Sequence, residues 1–216
     1  MGGSTDAHAS LCGAMNTSAI LLSGGASTRF GGYPKALVAA GERTAIQRMA
    51  EMSLEQGCDP VLVVVGPHHR PIAEALRSLD VQLIDSEQWY EGHTASVQSG
   101  LRAVPEGSDV LLWPVDHPFV SERTLEHLLA ARSSDDLGLW FIPTHGGQGG
   151  YPVLWKDRVR TDVLELRPDA PIRALMPELG PQVRRVAVDD PGILASIDTP
   201  EVYRDSYDAW LARRED

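Results

Sequence analysis

The chain has 216 residues, and 43% of them are hydrophobic, which suits one α/β domain with a sizeable core. Its net charge of −11 and the lack of any basic run argue against a nucleic-acid-binding protein. No apolar stretch approaches the roughly 20 residues of a membrane span. The N-terminus lacks the basic and apolar regions of a signal peptide, and Cys12 and Cys58 are too few for a disulfide framework. We therefore expect a cytoplasmic protein with unpaired thiols and no nucleic-acid or membrane partner.

Residues 1–18 are small and polar, so we expect them to be a disordered tail and residues 19–216 to form a single domain. Short apolar runs typical of buried strands then alternate with segments of helical spacing. The predicted strands are Ala19–Leu22, Val61–Val65, Val81–Ile84, Val110–Trp113, Leu139–Ile142 and Val183–Val188. The predicted helices are Thr44–Gln56, Pro71–Leu79, Thr94–Ala103, Ser121–Ala131 and Pro200–Arg213. This alternation predicts an α/β fold with a doubly wound, mainly parallel sheet.

The most informative segment follows the first predicted strand and reads L-S-G-G-A-S-T-R-F-G-G-Y-P-K from Leu22 to Lys35. Ligands bind at the carboxyl ends of strands in such sheets, and glycine lets backbone N–H groups approach a phosphate closely. Arg29 and Lys35 add positive charge to an otherwise acidic chain. The segment is neither a P-loop, which needs Gly-Lys-Ser/Thr, nor a G-x-G-x-x-G fingerprint. We interpret it as a phosphate-binding loop; the alternative is a glycine-rich turn with surface charges.

Two aspartates are candidate metal ligands. Asp116 ends the apolar run that begins at Val110, where a carboxylate binds a ligand more often than it caps the local chain. Asp198 begins the stretch Asp-Thr-Pro-Glu, which by itself is also a good helix N-cap. Because Mg²⁺ in nucleotide sites is held by one or two carboxylates plus substrate phosphates, the pair suits a magnesium site.

These motifs together resemble the molybdenum cofactor nucleotidyltransferases, a branch of the sugar-nucleotidyltransferase-like (nucleotide-diphospho-sugar transferase-like, Rossmann-like) fold. The resemblance rests on the glycine loop, on P-V-D-x-P at 114–118 and on D-T-P-E at 198–201, and it extends from Ala19 to Tyr203. It implies that the loop wraps a triphosphate. The implied catalytic residues are Arg29, Lys35 and Asp116, and the implied Mg²⁺ ligands are Asp116 and Asp198. The implied nucleotide-binding residues are Leu22, Ser23, Gly24, Gly25, Ser27, Arg29, Lys35, Gly92 and Ser96.

The family resemblance gives conflicting indications of the nucleobase. The segment from Trp89 to Leu101 resembles the family's W-x-x-G-x-x-x-S-x-x-x-G-L, which would place Gly92 and Ser96 near the base. Its Thr94–Val97 stretch is closer to the cytidylyl branch, whereas Ser23-Gly24-Gly25 is closer to the guanylyl branch. We favour CTP, because the side chains near Ser96 are expected to face the base.

The sequence says less about the identity of the acceptor than about the nucleotide. Glycine and proline cluster at 143–152, which we interpret as a functional loop. Within it, Tyr151 replaces a histidine that the family has near the acceptor. Arg173 matches a family arginine and is a candidate for binding the acceptor phosphate, although an arginine on a helix surface is an equal alternative. The histidine pair His68 and His69 is expected to be solvated.

The predicted function is a magnesium-dependent transfer of a nucleoside monophosphate from a nucleoside triphosphate to a phosphorylated acceptor of the molybdopterin type. Alternatives within this class are an enzyme that uses GTP and one that uses a sugar phosphate or alcohol phosphate. An alternative from another class is a nucleotide-binding chaperone that serves a molybdoenzyme without turnover. The presence of Lys35, Asp116 and Asp198 argues against the chaperone.

Overall fold

The computed structural model describes residues 16–215. Over these residues the strands are β1 (Thr17–Ser23), β2 (Ala39–Ala40), β3 (Arg43–Thr44), β4 (Val61–Val65), β5 (Gln82–Asp85), β6 (Asp109–Pro114), β7 (Trp140–His145), β8 (Gln148–Gly149), β9 (Val153–Trp155) and β10 (Val183–Ala187). The α-helices are α1 (Ala45–Glu55), α2 (His69–Leu76), α3 (His93–Ala103), α4 (Glu122–Ser134), α5 (Arg160–Glu165), α6 (Met176–Leu179) and α7 (Pro200–Glu215).

The main sheet has the strand order β10-β7-β9-β6-β1-β4-β5, and β8 pairs with β7. Within this order β9 and the short β8 run antiparallel to their neighbours, and the other pairings are parallel. Strands β2 and β3 form a separate two-stranded ribbon. The prediction of a mainly parallel α/β sheet is confirmed.

Helices cover both faces of this sheet, which explains the unbroken apolar runs in the sequence. On β1, Ala19 and Leu21 belong to the core beneath α1, α2, α4 and α7, whereas Ile20 and Leu22 belong to the core beneath α3, α5 and α6. A strand that is buried on both faces must be apolar at every position rather than at alternate ones.

Capping hydrogen bonds stabilise the N-termini of two predicted helices, α1 and α4. Thr44 and Gln47 form a reciprocal capping box at the start of α1. Ser121 accepts a hydrogen bond from the Thr124 N–H at 3.3 Å and so acts as the N-cap of α4. At the C-terminus, the buried Trp210 of α7 packs against Phe119, with 5.3 Å between ring centroids.

The structure corrects the predicted start of the domain. Strand β1 begins at Thr17, so the boundary predicted between residues 18 and 19 falls inside a strand. The rest of the predicted tail, residues 1–15 with Cys12, lies outside the described residues, and a single domain over 19–216 stays a prediction.

The structure also corrects the interpretation of residues 143–152 as a loop. This segment is largely a hairpin, in which Gly146 and Gly147 form a two-residue turn with positive φ angles of 56° and 81°. Such φ values at both central positions favour glycine and match the twist of a hairpin. The hairpin brings the chain back through β9, which the sequence prediction missed.

No helix among residues 16–215 is long and apolar enough to cross a membrane. The cytoplasmic location stays a prediction.

Gly100 allows α3 to pack closely on the sheet, and we expect Gly100→Val to destabilise the fold. A Cβ at this position would lie 2.8 Å from a Val64 methyl group and 2.9 Å from an Ile20 methyl group. Overpacking of this kind costs about 1–3 kcal/mol, which urea denaturation would measure. Arg102→Val, at an exposed position of the same helix, is the control and should cost only a few tenths of a kcal/mol. Equal losses for the two variants would contradict the packing argument.

Candidate active site

A cleft of about 340 Å³ opens at the carboxyl ends of β1 and β6. This is the edge of a parallel sheet at which ligands bind, because loops from separate strands converge there. The glycine loop, the start of α3 and the segment before α7 contribute to its wall. The cleft brings together every residue predicted to be catalytic, metal-binding or nucleotide-binding, namely Leu22, Ser23, Gly24, Gly25, Ser27, Arg29, Lys35, Gly92, Ser96, Asp116 and Asp198.

The glycine loop is held in shape by Ser27. This residue has a left-handed backbone, with φ of 52° and ψ of 35°, which is uncommon outside glycine. Its Oγ accepts a hydrogen bond from the Lys35 N–H at 3.2 Å. The bond closes the loop on itself, and it places Lys35 against the cleft rather than in solvent.

A cluster of opposite charges lies at the centre of the cleft. Lys35 Nζ lies 2.5 Å from Asp116 Oδ1 and 3.7 Å from Asp198 Oδ1. The Lys35 side chain is 13% exposed and that of Asp116 is 33% exposed, so water screens this pair less than a surface pair. Arg29, at the outer edge, lies 2.9 Å from Asp198 Oδ1. Both cations of the loop therefore neutralise the two candidate metal ligands.

The backbone also ties the two aspartates together. The Ile197 N–H donates to the Asp116 carbonyl oxygen at 2.8 Å, which fixes the segment of Asp198 beside the end of β6. No group of three or more histidine, cysteine, aspartate or glutamate side chains within residues 16–215 is arranged to hold a metal. A pair of carboxylates alone fits Mg²⁺ or Mn²⁺ that completes its coordination with phosphate oxygens and water.

Three residues meet closely on the other side of the cleft. A Cβ on Gly24 would lie 2.9 Å from Ser96 Oγ, and a Cβ on Gly66 would lie 2.1 Å from the Gly24 carbonyl oxygen. Ser96 Oγ lies 3.4 Å from Ser86 Oγ. The position of the first loop glycine is therefore set by α3 on one side and by the residue after β4 on the other.

The structure weakens the sequence-based argument for cytosine as the nucleobase. Of the Thr94–Val97 stretch, only Ser96 lines the cleft. Thr94 is fully buried and donates its hydroxyl to the Ala170 carbonyl oxygen, and Val97 lies in the core. The expectation that these side chains face the base is therefore wrong for Thr94 and Val97.

Three histidines near the cleft were not predicted to belong to it. His93, at the start of α3, lines the cleft, and His117 follows Asp116 directly. Desolvation lowers the pKa of both imidazoles, and the nearby Asp116 opposes that shift. His68 Nε2 lies 3.1 Å from the Ala26 carbonyl oxygen in the glycine loop, whereas His69 is exposed beside Asp85. The prediction of two solvated histidines holds only for His69.

Tyr151 and Arg173 do not line the cleft. They line a second cavity of about 410 Å³, here called the Trp140 cavity, which His117 also lines. The Tyr151 ring lies 5.2 Å from the His117 ring, measured between centroids. Burial raises the pKa of the Tyr151 phenol. Two smaller influences act on the same pKa: the charge of Arg173 lowers it, and the charge of Asp116 raises it. The Trp140 cavity therefore begins next to Asp116.

The MobA-like NTP transferase domain model matches residues 19–186, which include the glycine loop and Asp116. The chain belongs to the MobA-like NTP transferase family. A nucleotidyl transferase from Methanothermobacter is 25% identical, has a TM-score of 0.77, and is matched over 92% of this chain and 99% of its own. A molybdopterin-guanine dinucleotide biosynthesis protein A from Archaeoglobus fulgidus has a TM-score of 0.65 at 17% identity, with 89% of this chain and 98% of the other covered. At that identity the likeness shows the fold alone.

The curated relatives match over shorter stretches. Nicotine blue oxidoreductase of Paenarthrobacter nicotinovorans is 30% identical over 112 residues, which are 52% of this chain and 55% of that protein. The bifunctional protein GlmU of Acinetobacter baylyi is 26% identical over 127 residues, 58% of this chain and 28% of that protein. The chain thus spans about half the length of the first relative and less of the second.

Gly66 tests whether the position of Gly24 matters for nucleotide binding. In Gly66→Ala the new methyl group would overlap the Gly24 carbonyl oxygen, so the loop must move. We expect the Kd for a nucleoside triphosphate, measured by calorimetry, to rise at least about tenfold. Gly25→Ala is the control for folding, since its Cβ meets no described atom within 4 Å and its melting temperature should not change. Normal binding by a folded Gly66→Ala protein would show that the loop tolerates displacement.

Proposed function

We propose that the protein transfers a nucleoside monophosphate, with CTP the favoured donor, to a phosphorylated acceptor of the molybdopterin type in the cytoplasm. One observation carries the proposal. At the mouth of a glycine loop, the Lys35 ammonium lies between the carboxylates of Asp116 and Asp198. This arrangement offers positive charge and hard oxygen ligands at a single point, as a triphosphate with its cation requires.

The reaction exchanges one phosphoanhydride for another. An oxygen of the acceptor phosphate forms a bond to the α-phosphorus, the bond from that phosphorus to the β-phosphate bridging oxygen breaks, and pyrophosphate leaves with the electron pair. The attacking phosphate is already an anion, so the step needs no strong base. What it needs is alignment and neutralisation of the charge that accumulates on the phosphate oxygens.

The residues of the cleft divide these tasks. Backbone N–H groups around Gly24 and Gly25 bind phosphate oxygens, and Arg29 binds the outer phosphates that leave. Lys35 shifts from Asp116 towards the α-phosphate, whose developing charge it neutralises. Asp116 and Asp198 would hold Mg²⁺, which would supply further charge neutralisation at the same oxygens.

We place the acceptor in the Trp140 cavity, because Tyr151 and Arg173 line it and because it begins beside Asp116. The nucleotide and the acceptor then meet at this aspartate, where their phosphates must react. A sugar or alcohol phosphate is the alternative acceptor, and a molybdoenzyme is the candidate partner that receives the product.

One assay distinguishes the proposed transferase from two alternative functions. A nucleotide-binding chaperone would bind a triphosphate without releasing pyrophosphate. A protein that acts like the relative named nicotine blue oxidoreductase would also release none. Pyrophosphate release that depends on both a triphosphate and an acceptor supports the transferase, and its absence with a broad panel of acceptors, including molybdopterin, would contradict it.

Asp116→Asn and Lys35→Met test the charge cluster. The first keeps the shape of the side chain but removes the charge that attracts a cation, and the second keeps the stem but removes the ammonium. Each should lower turnover at least about a hundredfold, equivalent to about 2.7 kcal/mol of barrier. Asp116→Asn should also weaken the dependence on added Mg²⁺, which Lys35→Met should leave intact. Turnover across a Mg²⁺ titration measures both effects.

The matched controls are Asp85→Asn and Lys156→Met. Asp85 is an exposed carboxylate paired with His69, and Lys156 is the other lysine of the sequence, bonded to the Asp135 carbonyl oxygen. Neither lines the cleft, so neither change should slow turnover. Circular dichroism checks that all four variants fold. Near-normal turnover in a folded Asp116→Asn protein would mean that the proposed metal site is wrong.

The choice of base is tested by parallel titration with Mg-CTP and Mg-GTP. We expect CTP to bind more tightly and to support turnover, because the sequence around Ser96 resembles the cytidylyl branch. Ser96→Ala should weaken CTP binding, since Ser96 is the residue of its stretch that lines the cleft. Tighter binding of GTP, or turnover with GTP alone, would refute the assignment.

A further inference from the structure

The Trp140 cavity has features that restrict the chemistry of its ligand. Its wall is largely apolar, and the side chains of this wall that come from the core are Trp140, Ile142, Val153, Ile172 and Ile193. The Trp140 side chain is 1% exposed, and its indole Nε1 has no hydrogen-bond partner among the described residues. Because this wall offers little polar surface, it favours a ligand whose body is mainly apolar.

Two arginines give the cavity a positive charge. Arg173 and Arg185 both line it, and none of its lining residues is acidic. Both are exposed, and neither side chain forms a salt bridge or a hydrogen bond within residues 16–215. In a chain with a net charge of −11, a cavity with two unpaired guanidinium groups and no carboxylate attracts anions.

The two arginines also line a second cavity beside the Trp140 cavity. Together with Met176 they line a neighbouring cavity of about 480 Å³, which neither His117 nor Tyr151 lines. Arg173 and Arg185 therefore lie where the two cavities meet, whereas His117 and Tyr151 line the Trp140 cavity and not its neighbour. An anion bound at this junction would be a second one, in addition to the phosphate that must attack beside Asp116.

The geometry points to an acceptor with two anionic groups: a nucleophilic phosphate, and a second anionic group bound by Arg173 and Arg185, joined by a mainly apolar body. This inference rests on the proposed function, since it describes the acceptor of that reaction. It disfavours a sugar phosphate, whose many hydroxyl groups would lose their water against the apolar wall without gaining partners. Arg185 becomes a specificity-determining residue that no sequence motif indicated.

Aryl phosphates test the inference without requiring turnover. The protein is first saturated with a non-hydrolysable α,β-methylene analogue of whichever triphosphate binds more tightly, so that the glycine-loop cleft is filled. Calorimetry then measures the binding of 4-carboxyphenyl phosphate, phenyl phosphate and glucose 1-phosphate. We expect the carboxylated probe to bind about tenfold more tightly than phenyl phosphate, because its carboxylate pairs with the arginines. Glucose 1-phosphate should bind most weakly.

Variants test whether the tighter binding of 4-carboxyphenyl phosphate depends on the two arginines. In Arg173→Gln/Arg185→Gln, the carboxylated probe should lose its advantage over phenyl phosphate. Arg102→Gln, an exposed arginine on α3 that lines neither cavity, should keep that advantage. The inference is overturned if 4-carboxyphenyl phosphate does not bind at millimolar concentration, if the carboxylate brings no advantage, if the double variant keeps it, or if glucose 1-phosphate binds most tightly.

Failure here is distinguishable from failure of the proposed function. The aryl phosphate experiment measures binding alone, whereas the transferase is judged by pyrophosphate release. Pyrophosphate release with glucose 1-phosphate, together with equal binding of the two aryl phosphates, would retain the transferase and reject the acceptor with two anionic groups.

Discussion

The shared ammonium of Lys35 is the constraint on which the candidate site depends. Asp116 and Asp198 come from opposite ends of the second half of the chain, and a single cation near both offsets their mutual repulsion. Without it, two carboxylates at the end of a buried strand would be costly to hold close together. The glycine loop thus has a structural task as well as a chemical one, since its closure through Ser27 brings Lys35 to this point.

Much of the fold follows from the sequence because burial on both faces leaves an unmistakable pattern. The runs at Ala19–Leu22 and Val61–Val65 are apolar at every position, and the structure places both in the interior of the sheet, each with a strand on either side. Strand β9 escaped prediction because its pairing depends on a glycine turn and on partners distant in sequence. Three apolar residues beside Pro152 carry too little periodicity to predict a strand.

The candidate site, like the fold, contains some features that the sequence predicts and others that it does not. Residues on loops that leave strand ends could be predicted to converge, because the carboxyl ends of parallel strands lie at one edge. The contact of His68 with the Ala26 carbonyl oxygen and the place of Arg185 in the Trp140 cavity could not, since both depend on how distant segments pack. A motif can also mislead. Thr94 lies within the motif expected to face the base, but its side chain points inward and donates a hydrogen bond to the Ala170 carbonyl oxygen.

Strand β9 lies between β7 and β6 in the sheet, and the two cavities are built from different elements. The glycine-loop cleft draws on β1, β6 and α3, and each of its contacts restricts several others, as the tight meeting of Gly24, Gly66 and Ser96 shows. The Trp140 cavity instead draws much of its wall from one continuous hairpin, residues 140–155, closed by a glycine turn. Substitutions in that hairpin can reshape one cavity while the other keeps its geometry. A fold organised in this way can acquire new acceptors over evolution while it retains an unchanged means of holding the nucleotide.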